Sequence, residues 1–250
     1  MTERHDAYRG IARHYDLHMM DWYAATYGNR LRTLLTERGL TGSKVLDAGC
    51  GTGTLALALA SQGYRVTGVD LSEALLAVAR EKDPKGTVRW LEGDITNLSL
   101  GETFDVITSV ADVLNHLDTL DEWERALRCF AAHLRPGGCL LFDVMTSHGL
   151  EHLDTYTTQD REDRLLILGI IWEPATRRST LKMTSFIPAG GPGLYERASE
   201  TITEWGQPVA EIYACLRRAG FGEPERLWAI APDPEADERL AVLAGRGRAS

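Results

Sequence analysis

The sequence predicts an α/β protein: a doubly wound, mostly parallel sheet of seven strands closed by an antiparallel hairpin, with a helical N-terminal segment and an inserted antiparallel β meander. Three observations carry that expectation. Between residues 44 and 144, short apolar runs alternate with segments of helical period, the order that gives a parallel sheet covered on both faces. The run Lys44-Val-Leu-Asp-Ala-Gly-Cys-Gly-Thr-Gly53 reads as a buried strand that turns through three glycines into a Leu/Ala helix. Such a strand–loop–helix unit is a nucleotide-binding device. After Thr146 the pattern changes to extended stretches separated by Pro174-Ala-Thr and Pro188-Ala-Gly-Gly-Pro-Gly193, turn signals of antiparallel neighbours.

The elements follow in order. Tyr8, Ile11, Ala12, Tyr15, Met19 and Trp22 recur at three- and four-residue spacing and predict a first helix with an aromatic stripe. A second helix runs from Trp22 or Ala24 to Gly39. Strands are expected at 44–48, 64–70, 88–92, 104–110 and 139–144. Helices fill 54–62, 72–82 and 120–134, with Ser72 as an N-cap and Pro136-Gly-Gly138 as a stop. Residues 147–160 read as loop or short helix, followed by three strands at 165–173, 180–187 and 195–205. A helix at 208–219 returns to the core, and strands at 225–230 and 238–243, linked across Ala231-Pro-Asp-Pro234, make the closing hairpin. The whole is expected to be one domain with four parts: 1–40, 44–146, 147–206 and 207–244.

Composition narrows the class. A chain of 250 residues with 44% hydrophobic content buries a full core. The net charge of -9 argues against general affinity for nucleic acid, which needs a basic face. Cys50, Cys129, Cys139 and Cys215 are scattered without metal-ligand spacing, so they read as small core residues in a reducing compartment. The polar opening Met1-Thr-Glu-Arg-His-Asp6 is no signal peptide, and no apolar run reaches membrane length. A cytoplasmic protein with no metal and no membrane contact is expected. Asp47, just before the glycine loop, would repel a pyrophosphate and attract an ammonium group. That favours S-adenosylmethionine over a dinucleotide.

Four segments resemble the class I S-adenosylmethionine-dependent methyltransferases. They are Val45-Leu-Asp-Ala-Gly-Cys-Gly-Thr-Gly53, Gly68-Val-Asp-Leu-Ser72, Glu92-Gly-Asp-Ile95, and Phe104-Asp-Val-Ile-Thr-Ser109 with Leu134-Arg-Pro-Gly-Gly138 downstream. The resemblance implies S-adenosyl-L-methionine as methyl donor and S-adenosyl-L-homocysteine as product, held in the glycine loop around Gly49 and Gly51. Asp70, ending the second strand, would accept both ribose hydroxyls. Asp94 would accept the exocyclic amine of adenine, with the Ile95 N–H at a ring nitrogen and Leu71 packed on the base. Backbone groups of Gly49, Ser109 and Val110 would face the methionine amino group, with Asp47 helping through water or charge.

Tyr8-Arg-Gly-Ile-Ala-Arg-His-Tyr-Asp16 looks like the helical lid of a small-molecule branch, in which Tyr15 would lie over the methionine end and Tyr23 nearby. The insertion is similar to that of amino-sugar N-methyltransferases and related natural-product enzymes. The reading is methyl transfer to a small-molecule acceptor, on nitrogen or oxygen. Methyl transfer needs alignment above all. A hydroxyl or phenol acceptor would also use a base, for which His116 is the candidate and His148 a second, while the alternative for either ring is a hydrogen-bonding role in the pocket wall.

Trp172, Glu173, Phe186, Tyr195, Arg197, Glu200 and Glu204 of the insertion would line the acceptor pocket or lie on a solvated sheet face. The same strands would suit a homodimer contact. The competing readings are a tRNA base methyltransferase, which lacks a basic arm here, a catalytically silent S-adenosylmethionine-binding protein, and a dehydrogenase, against which Asp47 and the hairpin speak.

Overall fold

In the computed structural model, residues 8–23, 29–227 and 233–246 are described, and among residues 18–23 and 29–30 the backbone alone. The first half of the chain contributes α1 (Ala12–Tyr23), α2 (Asn29–Glu37), β1 (Lys44–Ala48), α3 (Thr54–Ser61), β2 (Arg65–Asp70), α4 (Glu73–Lys82), β3 (Arg89–Glu92), β4 (Phe104–Ser109), α5 (Leu120–His133) and β5 (Leu134–Met145). The second half contributes α6 (Ser147–His152), β6 (Thr155–Arg161), β7 (Arg164–Glu173), β8 (Arg178–Pro188), β9 (Tyr195–Trp205), α7 (Val209–Arg218), β10 (Glu225–Leu227) and β11 (Arg239–Gly245).

Seven strands form one sheet in the order β10-β11-β5-β4-β1-β2-β3. The pairs from β5 to β3 are parallel, and β11 runs antiparallel to both β5 and β10. This is the expected doubly wound sheet with its closing hairpin. Neighbouring residues point to opposite faces of a strand, and here both faces are buried. Val45, Val106 and Leu141 pack with Leu31, Leu35 and Leu59 on one side; Leu46, Ile107 and Phe142 pack with Trp123, Phe130 and Leu216 on the other. Thr119 caps α5 by accepting the Glu122 N–H, while Glu122 reaches back to the Asp118 N–H, a reciprocal cap.

The insertion forms a second, antiparallel sheet in the order β6-β7-β8-β9. It has four strands where the sequence predicted three: residues 147–160, expected as loop or short helix, carry both α6 and β6. Strand β6 (Thr-Tyr-Thr-Thr-Gln-Asp-Arg) is an exposed edge with no buried face, so it shows no apolar alternation to read. One face of this sheet packs Leu166, Met183 and Ile202 on Ile11 of the N-terminal segment. That segment enters as a turn, and helix begins only at Ala12: Tyr8 has φ 67°, and a Cβ on Gly10 would lie 2.5 Å from the Ser199 carbonyl oxygen of β9. Strand β5 starts at Leu134 rather than 139, continuing through the Pro-Gly-Gly segment with a register shift against β4. The predicted strand end at 228–230 lies outside the described residues. Among those residues no helix is long and apolar enough to cross a membrane.

Candidate active site

A cavity of about 220 Å³ opens at the carboxyl ends of β1 to β4, where strand order reverses and such sheets hold their ligands. Loops after the strands supply its floor, and Tyr8 and Tyr15 supply its roof.

Asp70 organises the floor. Its Oδ2 accepts the Gly51 N–H at 2.7 Å and its Oδ1 the Ser72 N–H at 2.8 Å, while its carbonyl accepts the Gly93 N–H at 2.9 Å. Three loops are thus tied to one residue. Burial pushes the Asp70 carboxyl above the usual range, against the pull of the N–H donors from Ser72, Gly51 and Leu71. Each of its oxygens still has acceptor capacity. The glycine loop also folds back on β2, with the Gly49 and Cys50 N–H groups both donating to the Val69 carbonyl. Gly49 has φ 79°, and a Cβ there would lie 2.5 Å from both Val113 methyls, so only glycine fits. Asp94 Oδ1 accepts from both the N–H and the hydroxyl of Thr96 at 2.8 Å each, and Oδ2 bonds to no described residue.

Asp47 sits beneath the loop, 2% exposed, with its Oδ1 accepting the Thr108 hydroxyl at 2.7 Å. Burial pushes its carboxyl up to about 7, with the Thr108 bond opposing and the Asp70 charge adding. A cation in the cavity above would favour its charged form.

At the roof, Tyr8 meets Tyr15 edge-on at 5.5 Å and His116 edge-on at 5.7 Å. His116 Nδ1 lies 3.2 Å from the Thr203 carbonyl and Nε2 lies 3.0 Å from the Tyr8 hydroxyl. A carbonyl only accepts, so Nδ1 carries the proton and Nε2 accepts from Tyr8. Burial raises both tyrosine hydroxyls above the ordinary phenol range.

The segment between β4 and α5, which carries His116, is fixed from three sides. Ala111 and Asp112 are consecutive non-glycine residues with φ 74° and 61°. Asp143 of β5 accepts the Ala111 N–H at 2.7 Å. Arg239 of β11 binds Asp112 through Nη1 at 2.5 Å and Nη2 at 2.9 Å, and also binds Asp143. Asn115 donates to the carbonyls of Met145 and Trp205 and accepts the Met145 N–H.

Of the residues singled out from sequence, Tyr15, Gly49, Gly51, Asp70, Leu71, Asp94, Ile95 and His116 line the cavity. Asp47, Ser109 and Val110 are buried behind its wall, and Ala111 and Val113 stand in the wall instead. His148 meets His152 edge-on with ring centroids 4.0 Å apart, Trp172 packs with Met145 and Leu150, and Arg197 Nη1 lies 3.5 Å from the Ser199 hydroxyl; none of the three lines the cavity. The Tyr23 side chain lies outside the described residues. Sequence reasoning did not assign Tyr8, Glu122 or Arg125 to the wall. Tyr8 was legible as a partner of Tyr15 seven residues earlier in the same aromatic stripe, whereas Glu122 and Arg125 read as ordinary charges on the surface of α5.

Residues 45–138 match the profile of a methyltransferase domain. The chain is 31% identical over 223 residues to a protein of Geobacillus sp. (strain WCH70) assigned as a methyltransferase, covering 86% of this chain and 88% of that one. It is 29% identical over 174 residues, 68% of each chain, to the dTDP-4-amino-2,3,4,6-tetradeoxy-D-glucose N,N-dimethyltransferase of Saccharopolyspora spinosa. Its fold matches that of an S-adenosylmethionine-dependent methyltransferase from Clostridium acetobutylicum, with a TM-score of 0.82 at 22% identity, covering 96% of this chain and 99% of the other.

Proposed function

The chain belongs to the S-adenosylmethionine-dependent methyltransferases, and from that premise we propose that it methylates an amine nitrogen of a small-molecule acceptor. The residues fit the donor. Asp70 has acceptor capacity for two ribose hydroxyls, Asp94 keeps Oδ2 for an adenine amine, and the Tyr15 hydroxyl bonds to no described residue. The carboxyls of Asp70 in the wall and Asp47 beneath the loop suit a ligand with positive groups. S-adenosylmethionine supplies a methyl carbon already activated by its positive sulfur. What remains for the protein is to align, to exclude water and to hold the acceptor nitrogen unprotonated.

One observation carries the choice of nitrogen: His116, the histidine of the cavity wall, engages both ring nitrogens in holding Tyr8 to β9. A hydroxyl acceptor would want that imidazole as a base during the displacement itself, whereas an amine that has already given up its ammonium proton attacks without help from His116. The test is labelled S-adenosylmethionine with a panel of amino and hydroxy metabolites, a tRNA arm, and His116→Asn beside the parent. Label should enter amines, and His116→Asn should keep at least about a tenth of the turnover. Label found solely on oxygen, with a loss of about a hundredfold or more in His116→Asn, would overturn the proposal.

A further inference from the structure

We propose that Glu204 of β9, with the Tyr15 hydroxyl, forms the acceptor subsite, where the incoming amine binds as an ammonium ion and gives up its proton. The proposal rests on the amine reading above and names the residue that this reading leaves open.

The placement comes from the sheet. Residues alternate along a strand, so Glu204 shares the inner face of β9 with Ile202, which packs on Ile11. The residues on either side of it are stitched to the cavity wall: the Thr203 carbonyl holds His116 and the Trp205 carbonyl holds Asn115. That wall leads on to the roof, because the Nε2 of the same His116 ring meets the Tyr8 hydroxyl and Tyr8 meets Tyr15 edge-on.

Two polar groups there have no hydrogen-bond partner among the described residues. Neither the Glu204 carboxylate nor the Tyr15 hydroxyl hydrogen-bonds a described residue, although Tyr15 lines the cavity. The other acid at this end is differently placed, because Asp112 is held bidentately by Arg239. Burial pushes the Glu204 carboxyl up to about 8, with Asp112 adding to the rise and Arg239 opposing it. The titratable and charged groups that interact with it are Asp112, Arg239, Tyr8 and Tyr15, and His116 is held by the carbonyl of the preceding residue. A carboxyl tuned near neutrality exchanges a proton with an ammonium more readily than one at the ordinary value.

The proton balance is simple. The ammonium N–H breaks, its electron pair stays on nitrogen as the attacking lone pair, and the proton passes to a Glu204 carboxylate oxygen. The new N–H⁺ of the methylated product is lost to water, and Glu204 returns its own proton to solvent when product leaves.

The test needs no known acceptor. Sinefungin carries a C–NH₃⁺ where the donor has S⁺–CH₃, so its amine points at the acceptor subsite. S-adenosylhomocysteine lacks that group. Affinities of both would be measured by calorimetry between pH 6 and 9 for the parent, Glu204→Gln and Glu204→Asp. The parent should prefer sinefungin by about tenfold at the alkaline end, where Glu204 is charged, and less at pH 6. Glu204→Gln should abolish that preference while S-adenosylhomocysteine binds within about twofold of the parent, and Glu204→Asp should restore part of it. A preference that is absent in the parent, or unchanged in Glu204→Gln, overturns the proposal. Failure of the parent to bind S-adenosylhomocysteine at all would instead overturn the cofactor reading, and this proposal with it.

Discussion

Replacing Arg239 by methionine should cost about 3 kcal/mol of stability and deform the cavity from a distance. Arg239 belongs to the closing strand β11, yet its guanidinium neutralises two acids beside the cavity. Its side chain is 25% exposed, Asp112 is 18% exposed and Asp143 is fully buried. Removing one partner of a buried ion pair costs roughly 3–5 kcal/mol, because a charge is left without compensation. Partial exposure of Asp112 puts the expectation at the lower end. Two left-handed non-glycine residues, each strained by about 1–2 kcal/mol, would then be held without the guanidinium, by the Ala111 N–H to Asp143 bond and the anchoring of Asn115.

In a chain of this size about 3 kcal/mol corresponds to a fall in Tm of about 6–12 °C. Calorimetric and urea unfolding of Arg239→Met would measure it, with S-adenosylhomocysteine titration reporting the wall formed by Ala111 and Val113. The double variant Arg239→Met/Asp143→Asn should recover about 1 kcal/mol or more, since asparagine can still accept the Ala111 N–H without a buried charge. A single-variant loss below about 1 kcal/mol, or a double variant less stable than the single one, would refute the reasoning.

Two further outcomes test the floor of the site. The Asp47 carboxyl lies near 7 in the folded chain and near the ordinary carboxyl value when unfolded. The stability of its neutral form is therefore full in acid and lost as pH rises toward 7, by up to about 1.4 kcal/mol per pH unit. Asp47→Asn should flatten that part of the profile and gain stability relative to the parent at pH 8 compared with pH 4. Parallel stability profiles would argue against a buried neutral acid. Gly49→Ala should weaken S-adenosylhomocysteine at least about tenfold and cost about 2–3 kcal/mol, from positive φ and from the collision with Val113. Near-parent affinity by calorimetry would show that the loop relaxes where the geometry says it cannot.

The core of the fold was legible because its signals are local. Val45 and Leu46, or Val106 and Ile107, are adjacent apolar residues that serve opposite faces, so a strand buried on both sides appears as a continuous apolar run. The same logic hid β6. Its residues are largely exposed, it pairs through the backbone with β7 along its whole length, and nothing in Thr155–Arg161 alternates. Pro136-Gly-Gly138 likewise reads as a stop, but the structure carries β5 through it from Leu134, with the register shift taking up the irregularity.

The site divides along the same line. Gly49, Gly51, Asp70, Leu71, Asp94 and Ile95 stand at strand ends within a few residues of a turn, and their place in the wall follows from local sequence once the sheet order is known. The groups around His116 come together over long separations: Tyr8 with His116 across 108 residues, His116 with β9 across 87, and Asp112 with Arg239 across 127. No periodicity reports such pairs. This division has a functional consequence. On the reading proposed above, the donor end is built from loops of one contiguous α/β unit, whereas the acceptor end is assembled from the N-terminal segment, the inserted sheet and the closing strand. Changes in the insertion would then alter which acceptor is methylated without disturbing how the donor is held, and Glu204, between the two residues of β9 that hold His116 and Asn115, occupies the position where such a change would act first.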